Sequence, residues 1–152
     1  MNRRIILCML VGAVVAAATV PLAASADRDH RLVIGVRVSF VSSSHADGTF
    51  AACCAVNDNG TAQADVTAFT VKGDTGAFEA VETFVGSEGT FKLALRGTTG
   101  PLSSPRHIAR GGWRVLNGTG AYADLGGEGK FTALTDETDG ALTAINTGDV
   151  ES

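Results

Sequence analysis

Beyond its first twenty residues the sequence has no long apolar run, so no later segment offers the roughly 20 residues a bilayer-spanning helix needs. Leucine, lysine and glutamate are scarce outside that first stretch, which leaves little material for long helices. No later segment keeps apolar residues at helical spacing for three turns. Cysteine is nearly absent: Cys8 lies in the first run, and only the adjacent Cys53 and Cys54 follow. That excludes a disulfide-stapled scaffold. With His30, His45 and His107 scattered and no Cys-x-x-Cys or paired-His spacing, it also argues against a bound metal or any other cofactor. A basic cluster is missing too, which argues against nucleic acid or an anionic membrane as partner.

The N-terminus carries a tripartite export pattern. Arg3 and Arg4 precede an uncharged run from Ile5 to Val20, Pro21 breaks it, and Ala24-Ser25-Ala26 supplies small residues before charge returns at Asp27. The reading is a signal peptide over residues 1–26, cleaved near Ala26, and one secreted, extracytoplasmic domain over residues 27–152 that keeps no membrane anchor. The alternative is an uncleaved anchor, which Pro21 and the short run oppose. Without Arg3 and Arg4 the chain has ten basic and sixteen acidic residues, a net charge of −6. A chain of this length buries about two-thirds of its unfolded surface, so no staple is obligatory.

What remains is rich in glycine, threonine, valine and alanine, and it alternates. Residues 31–41 place Ile34, Val36, Val38 and Phe40 on one face. Residues 42–48 read as a polar loop, 49–56 as a second strand, and Asn57-Asp58-Asn59-Gly60 as a hairpin turn. Further strands are expected at 61–71, 78–85, 90–96, 107–116, 127–134 and 141–150. A long loop is expected at 98–105, a bulge at Gly111-Gly112, and a single helical turn near 121–124. In the third strand, strict alternation puts Val66 and Phe69 on opposite faces. Eight short strands joined mainly by tight turns form a meander, whose exposed edges vanish if the first and last strands meet. The expectation is an all-β fold, an eight-stranded antiparallel up-and-down β-barrel, with a β-sandwich as the alternative.

The run Gly112-Trp113-Arg114-Val115-Leu116-Asn117-Gly118-Thr119-Gly120-Ala121-Tyr122-Ala123-Asp124-Leu125-Gly126-Gly127-Glu128-Gly129 resembles the allene oxide cyclase-like and dirigent-like barrel superfamily, including small secreted bacterial members of unassigned function. Asp47-Gly48-Thr49-Phe50 and Asn59-Gly60-Thr61-Ala62 resemble its earlier hairpin. The resemblance implies a barrel that binds apolar substrates and steers their cyclisation, or that directs radical coupling. It carries no catalytic residue onto this chain. Read physically, Gly118 and Gly120 allow a short turn from which Tyr122 and Leu125 point back as a plug into the barrel end.

Glu82 and Tyr122, with Glu128 and Arg114 beside them, are the candidates for acid–base chemistry, because an ionisable group facing an apolar interior has a tunable pKa. Arg114, however, alternates with Trp113 and Val115 and reads as a surface charge. Glu82 shares a face with Phe78 and Phe84. Either that face is the core, or Val81 and Val85 point inward and Glu82 meets solvent. Phe40, Phe91, Leu93 and Leu95 are the candidate ligand-lining residues. Cys53 and Cys54 are candidate vicinal thiols. They could be unbonded, joined to each other, or bridged to another chain, and the opposed side chains of a regular strand favour the unbonded form. Three functions follow. The first is binding of a small apolar ligand in the barrel. The second, by analogy of fold alone, is an isomerase or cyclase. The third is an extracellular structural or interaction protein, for instance a homodimer formed through a sheet face.

Overall fold

The computed structural model describes residues 30–151, and the expected signal segment lies outside them. Eight strands follow in order: β1 (Arg31–Phe40), β2 (His45–Cys54), β3 (Asn59–Lys72), β4 (Thr75–Gly86), β5 (Thr90–Gly100), β6 (Arg106–Gly118), β7 (Gly126–Asp136) and β8 (Ala141–Glu151). Each pairs antiparallel with its neighbour, and β1 pairs with β8 from Arg31↔Asp149 to Ser39↔Ala141. The sheet is therefore a closed up-and-down barrel. The sandwich alternative is set aside, because closure leaves β1 and β8 paired to each other along their length.

Alternation explains the elements. In β1 the inner side chains Leu32, Ile34, Val36 and Val38 are all buried, while Arg31 and Arg37 are exposed. Phe84, Phe91 and Leu93 are fully enclosed, and each such burial stabilises the fold by roughly 1.5–3 kcal/mol. Phe84 and Phe91 stack at 4.8 Å between ring centroids, Phe50 meets them edge-on at 5.1 and 5.9 Å, and Tyr122 meets Phe91 at 5.2 Å. These four rings fill one half of the lumen.

Glycine makes room for the largest side chains. The Phe131 ring lies over Gly97 and Gly111, where a Cβ would come within 2.7 and 2.8 Å of it. Trp113 likewise lies against Gly129 and Gly148, and its Nε1 donates to the Lys130 carbonyl at 3.1 Å.

Four local expectations change. Residues 45–48 belong to β2 and not to a loop, because all four pair with β3 and Ala46, Asp47 and Gly48 pair with β1 as well. Thr98–Gly100 likewise extend β5. Gly111 and Gly112 keep register, and the bulge of β6 falls at Leu116, opposite the step from Lys92 to Leu93. In β3, Thr67 is the extra residue between Val66↔Ala80 and Ala68↔Glu79. That single insertion turns Phe69 onto the same inner register as Val66, where strict alternation had opposed them. The expected helical turn appears as a 3-10 turn over Gly120–Tyr122.

Candidate functional site

The two ends of the barrel differ. At the end holding the 55–58, 87–89 and 119–125 connections, the plug expected from sequence is present: Tyr122 and Leu125 are buried across the opening. Its anchor is Asp58, in the hairpin after β2. The Asp58 carboxylate accepts from the Tyr122 phenol at 2.7 Å, the Ser87 hydroxyl at 2.9 Å, and the backbone N–H groups of Asn59, Ser87 and Glu88. Burial alone would raise its pKa, but the hydrogen bonds from Tyr122, Glu88 and Ser87 outweigh that and hold the carboxyl well below the usual range. Burial and the bond to Asp58 push the Tyr122 phenol well above its ordinary value. A phenol so held is a structural donor, and the arrangement ties three loops into one lid.

Glu82 faces inward. It is buried on β4, with Phe84 toward the plugged end and Phe78 toward the other, while Val85 is exposed and Val81 half-buried on the outer face. Asn146, fully buried on β8, donates from Nδ2 to Glu82 Oε2 at 2.8 Å. Asn146 Oδ1 is buried without a hydrogen-bond partner. Desolvation raises the Glu82 pKa to about 7, against a smaller lowering by Asn146. A protonated Glu82 could donate to that orphan carbonyl while accepting from the amide, satisfying both groups at once. The lumen thus holds one carboxyl–carboxamide pair, with the Phe50–Phe84–Phe91 layer on one side and the Phe78–Phe131 ring pair, 5.9 Å apart, on the other.

The opposite end has no such plug among the described residues. Phe40, Phe69 and Val71 lie there on inner register positions, yet they are 37%, 51% and 58% exposed. Beneath them Val66, Phe78 and Leu142 are only partly buried. Two histidines brace this rim. His107 Nδ1 lies 2.7 Å from the Pro101 carbonyl and its Nε2 lies 2.8 Å from Glu137. His45 bonds Asp65 through Nδ1 and Asp47 through Nε2 at 3.1 Å. All four partners are acceptors, so each ring satisfies both only as the imidazolium. The bonds to Glu137 and Asp65 accordingly raise both pKa values.

Of the candidate ligand-lining residues, Phe40 stands at the open rim, whereas Phe91, Leu93 and Leu95 are core residues packed among the rings and strands. The fold brings Tyr122 against Phe91 but ties it to Asp58, while Glu82 pairs with Asn146 deeper in the lumen. Cys53 and Cys54 close β2 near the plugged end. Sequence reading missed Asp58, which looked like an ordinary turn residue, and His107. It also missed Asn146, although the alternation Ala144, Asn146, Gly148 in β8 already placed that amide on an inner face.

A depression of about 1990 Å³ on the outer face, spanning β4 to β8, carries charges of both signs, including Arg96, Arg114, Glu128 and Lys130. It is wide open to solvent and offers no apolar enclosure. Among the described residues no group of His, Cys, Asp or Glu is arranged to hold a metal ion. No protein-family model, no curated protein and no solved structure matches this chain.

Proposed function

We propose that this is an exported binding protein that takes a small, largely apolar ligand at the open end of its barrel. The observation that carries the reading is the contrast between the ends. One is sealed by a hydrogen-bonded lid, while the other leaves Phe40, Phe69 and Val71 exposed on inner register positions. Apolar side chains held at the mouth of a closed barrel are a usual setting for such ligands. The ring layer of Phe50, Phe84 and Phe91 leaves the sealed half to the core, so the ligand belongs above Phe78 and not beside Phe91. A fluorescent apolar probe, N-phenyl-1-naphthylamine, with displacement by fatty acids, tests this. Binding should fall at least severalfold in Phe69→Ser and Val71→Ser, whose melting points should stay near that of the parent because both sites are exposed. Undiminished binding in both variants, or no binding by the parent, would sink the reading.

An isomerase or cyclase is the second reading. One observation favours it: a buried carboxyl poised near pH 7 beside an orphan carbonyl in an apolar lumen. It requires substrate to pass the Phe78–Phe131 ring pair. Glu82→Gln keeps the shape of the side chain and should abolish turnover while leaving probe binding intact. Unchanged turnover of an identified substrate would remove Glu82 from the chemistry.

A further inference from the structure

Cys53 and Cys54 end β2, opposite Val33 and Leu32 of β1. In a regular strand two adjacent side chains point to opposite faces of the sheet, which keeps neighbouring sulfurs apart. Here they do not diverge: the two Sγ atoms lie 3.0 Å from each other. The cause is the backbone. Cys54 has φ of +85°, and it is the one non-glycine residue with positive φ among the described residues. A side chain with a Cβ seldom adopts that region, and when it does the surroundings must hold it there. The flanking hydrogen bonds do so. The Ala52 N–H donates to the Asp58 carbonyl at 2.8 Å, and the Ala55 N–H donates to the Arg31 carbonyl at 2.9 Å. The chain is thus pinned on both sides of the pair, and the turn in the backbone falls on Cys54.

We propose that Cys53 and Cys54 form a vicinal dithiol site that is oxidised to an intrachain disulfide by a low-molecular-weight disulfide. Access supports it, since Cys54 is exposed and Cys53 half-buried. Cys54, as thiolate, attacks one sulfur of the disulfide RSSR. A mixed disulfide forms and RS⁻ leaves with the electron pair. Cys53, as thiolate, then attacks the Cys54 sulfur: the Cys53–Cys54 S–S bond forms, the mixed Cys54–SR bond breaks, and the second RS⁻ leaves with its electron pair. Two protein thiols are oxidised, RSSR is reduced to two RSH, and the two protons released by the cysteines end on the leaving thiolates. The sulfurs need to approach by about 1 Å to reach bonding distance. The contact-ready pair sits in the same hairpin as Asp58, so the site lies beside the anchor of the lid.

Oxidised glutathione is the probe. The full chain is incubated with it, excess thiols are blocked, and the tryptic peptide Val38–Lys72, which contains both cysteines and no other, is weighed. The expected product is that peptide short of two hydrogen atoms, restored by dithiothreitol, from a protein with no disulfide link between chains. Cys53→Ser should instead accumulate a stable glutathionyl adduct on Cys54, because the resolving thiol is gone. Three outcomes overturn the proposal: a persistent glutathionyl adduct on the parent, a disulfide-linked dimer, or two thiols still open to alkylation after prolonged incubation.

Discussion

The Tyr122 phenol donates a 2.7 Å hydrogen bond to Asp58, sixty-four positions earlier in the chain. One bond thereby joins the hairpin after β2 to the turn after β6, and both ends of it are buried. The Asp58 carboxylate collects donors from the 87–89 and 119–125 connections and from the start of β3, and so ties them together alongside the backbone bonds from Ala121 to Glu88 and from Thr119 to Thr90.

Removing the phenol tests that dependence. Tyr122→Phe keeps the ring contact with Phe91 and deletes only the hydroxyl, leaving a buried carboxylate with one donor fewer. Hydrogen bonds to charged groups of this kind contribute about 1.5–3 kcal/mol, and that is the expected loss in urea unfolding. A change within 0.5 kcal/mol, roughly the scatter of ordinary surface substitutions, would mean that the phenol–Asp58 bond adds nothing to the lid beyond its ring packing and remaining hydrogen bonds.

Glu82 makes stability depend on pH with a definite sign. Its folded pKa, about 7, lies above the ordinary 4.5, so the folded protein binds the proton more tightly than the unfolded chain. The linked destabilisation is absent below pH 4.5, grows as pH rises toward 7, and is complete above it. It amounts to about 3 kcal/mol as an upper bound. Glu82→Gln should show no such decline, so the variant should gain on the parent steadily between pH 4.5 and 7 in chemical unfolding. Parallel pH profiles for the two proteins would contradict a buried, raised carboxyl.

His107 acts in the opposite direction to a depressed acid. The bond to Glu137 raises its pKa above 6.5, so its contribution is full below pH 6.5 and is lost as pH rises through the folded value. Loss of the imidazolium frees the Pro101 carbonyl or Glu137, and the 101–105 loop should open. Amide exchange there, corrected for intrinsic rates, should quicken with pH in the parent and stay flat in His107→Gln. Equal profiles in both proteins would show that His107 does not brace the rim.

Gly111 has no room for a side chain. A Cβ there would meet the β5 backbone at Gly97 and the Phe131 ring. Gly111→Ala should destabilise by about 1–3 kcal/mol, the range for overpacking a filled core. Phe131→Leu in the same chain should recover only part, since the backbone contact remains. Thermal melts of the two variants decide this, and a neutral Gly111→Ala would show that β5 and β6 have slack at the bend.

The sequence disclosed the barrel more readily than the site. Leu32 to Val38 and Phe91 to Leu95 alternate so cleanly that strand and face follow from pattern alone. β4 was ambiguous because Val81 and Val85 make its outer face almost as apolar as the inner one, so Glu82 could be given a phase but not a side. Asp58 looked like turn chemistry because its donors come from residues about thirty and sixty positions away. Cys54 was read as regular strand, since nothing in a local pattern announces a positive φ at a residue with a Cβ.

Thr67 has a consequence of another kind. As an unpaired residue it works like a half-step in a spiral stair: every β3 side chain after it has exchanged inside for outside relative to the run before. Were Thr67 instead paired into the ladder with no bulge, strict alternation would give Ala68 and Thr70 the inward stations and swing Phe69 and Val71 to the outer wall. The greasy character of the barrel mouth is therefore a matter of counting, set by the parity of residues along a single strand.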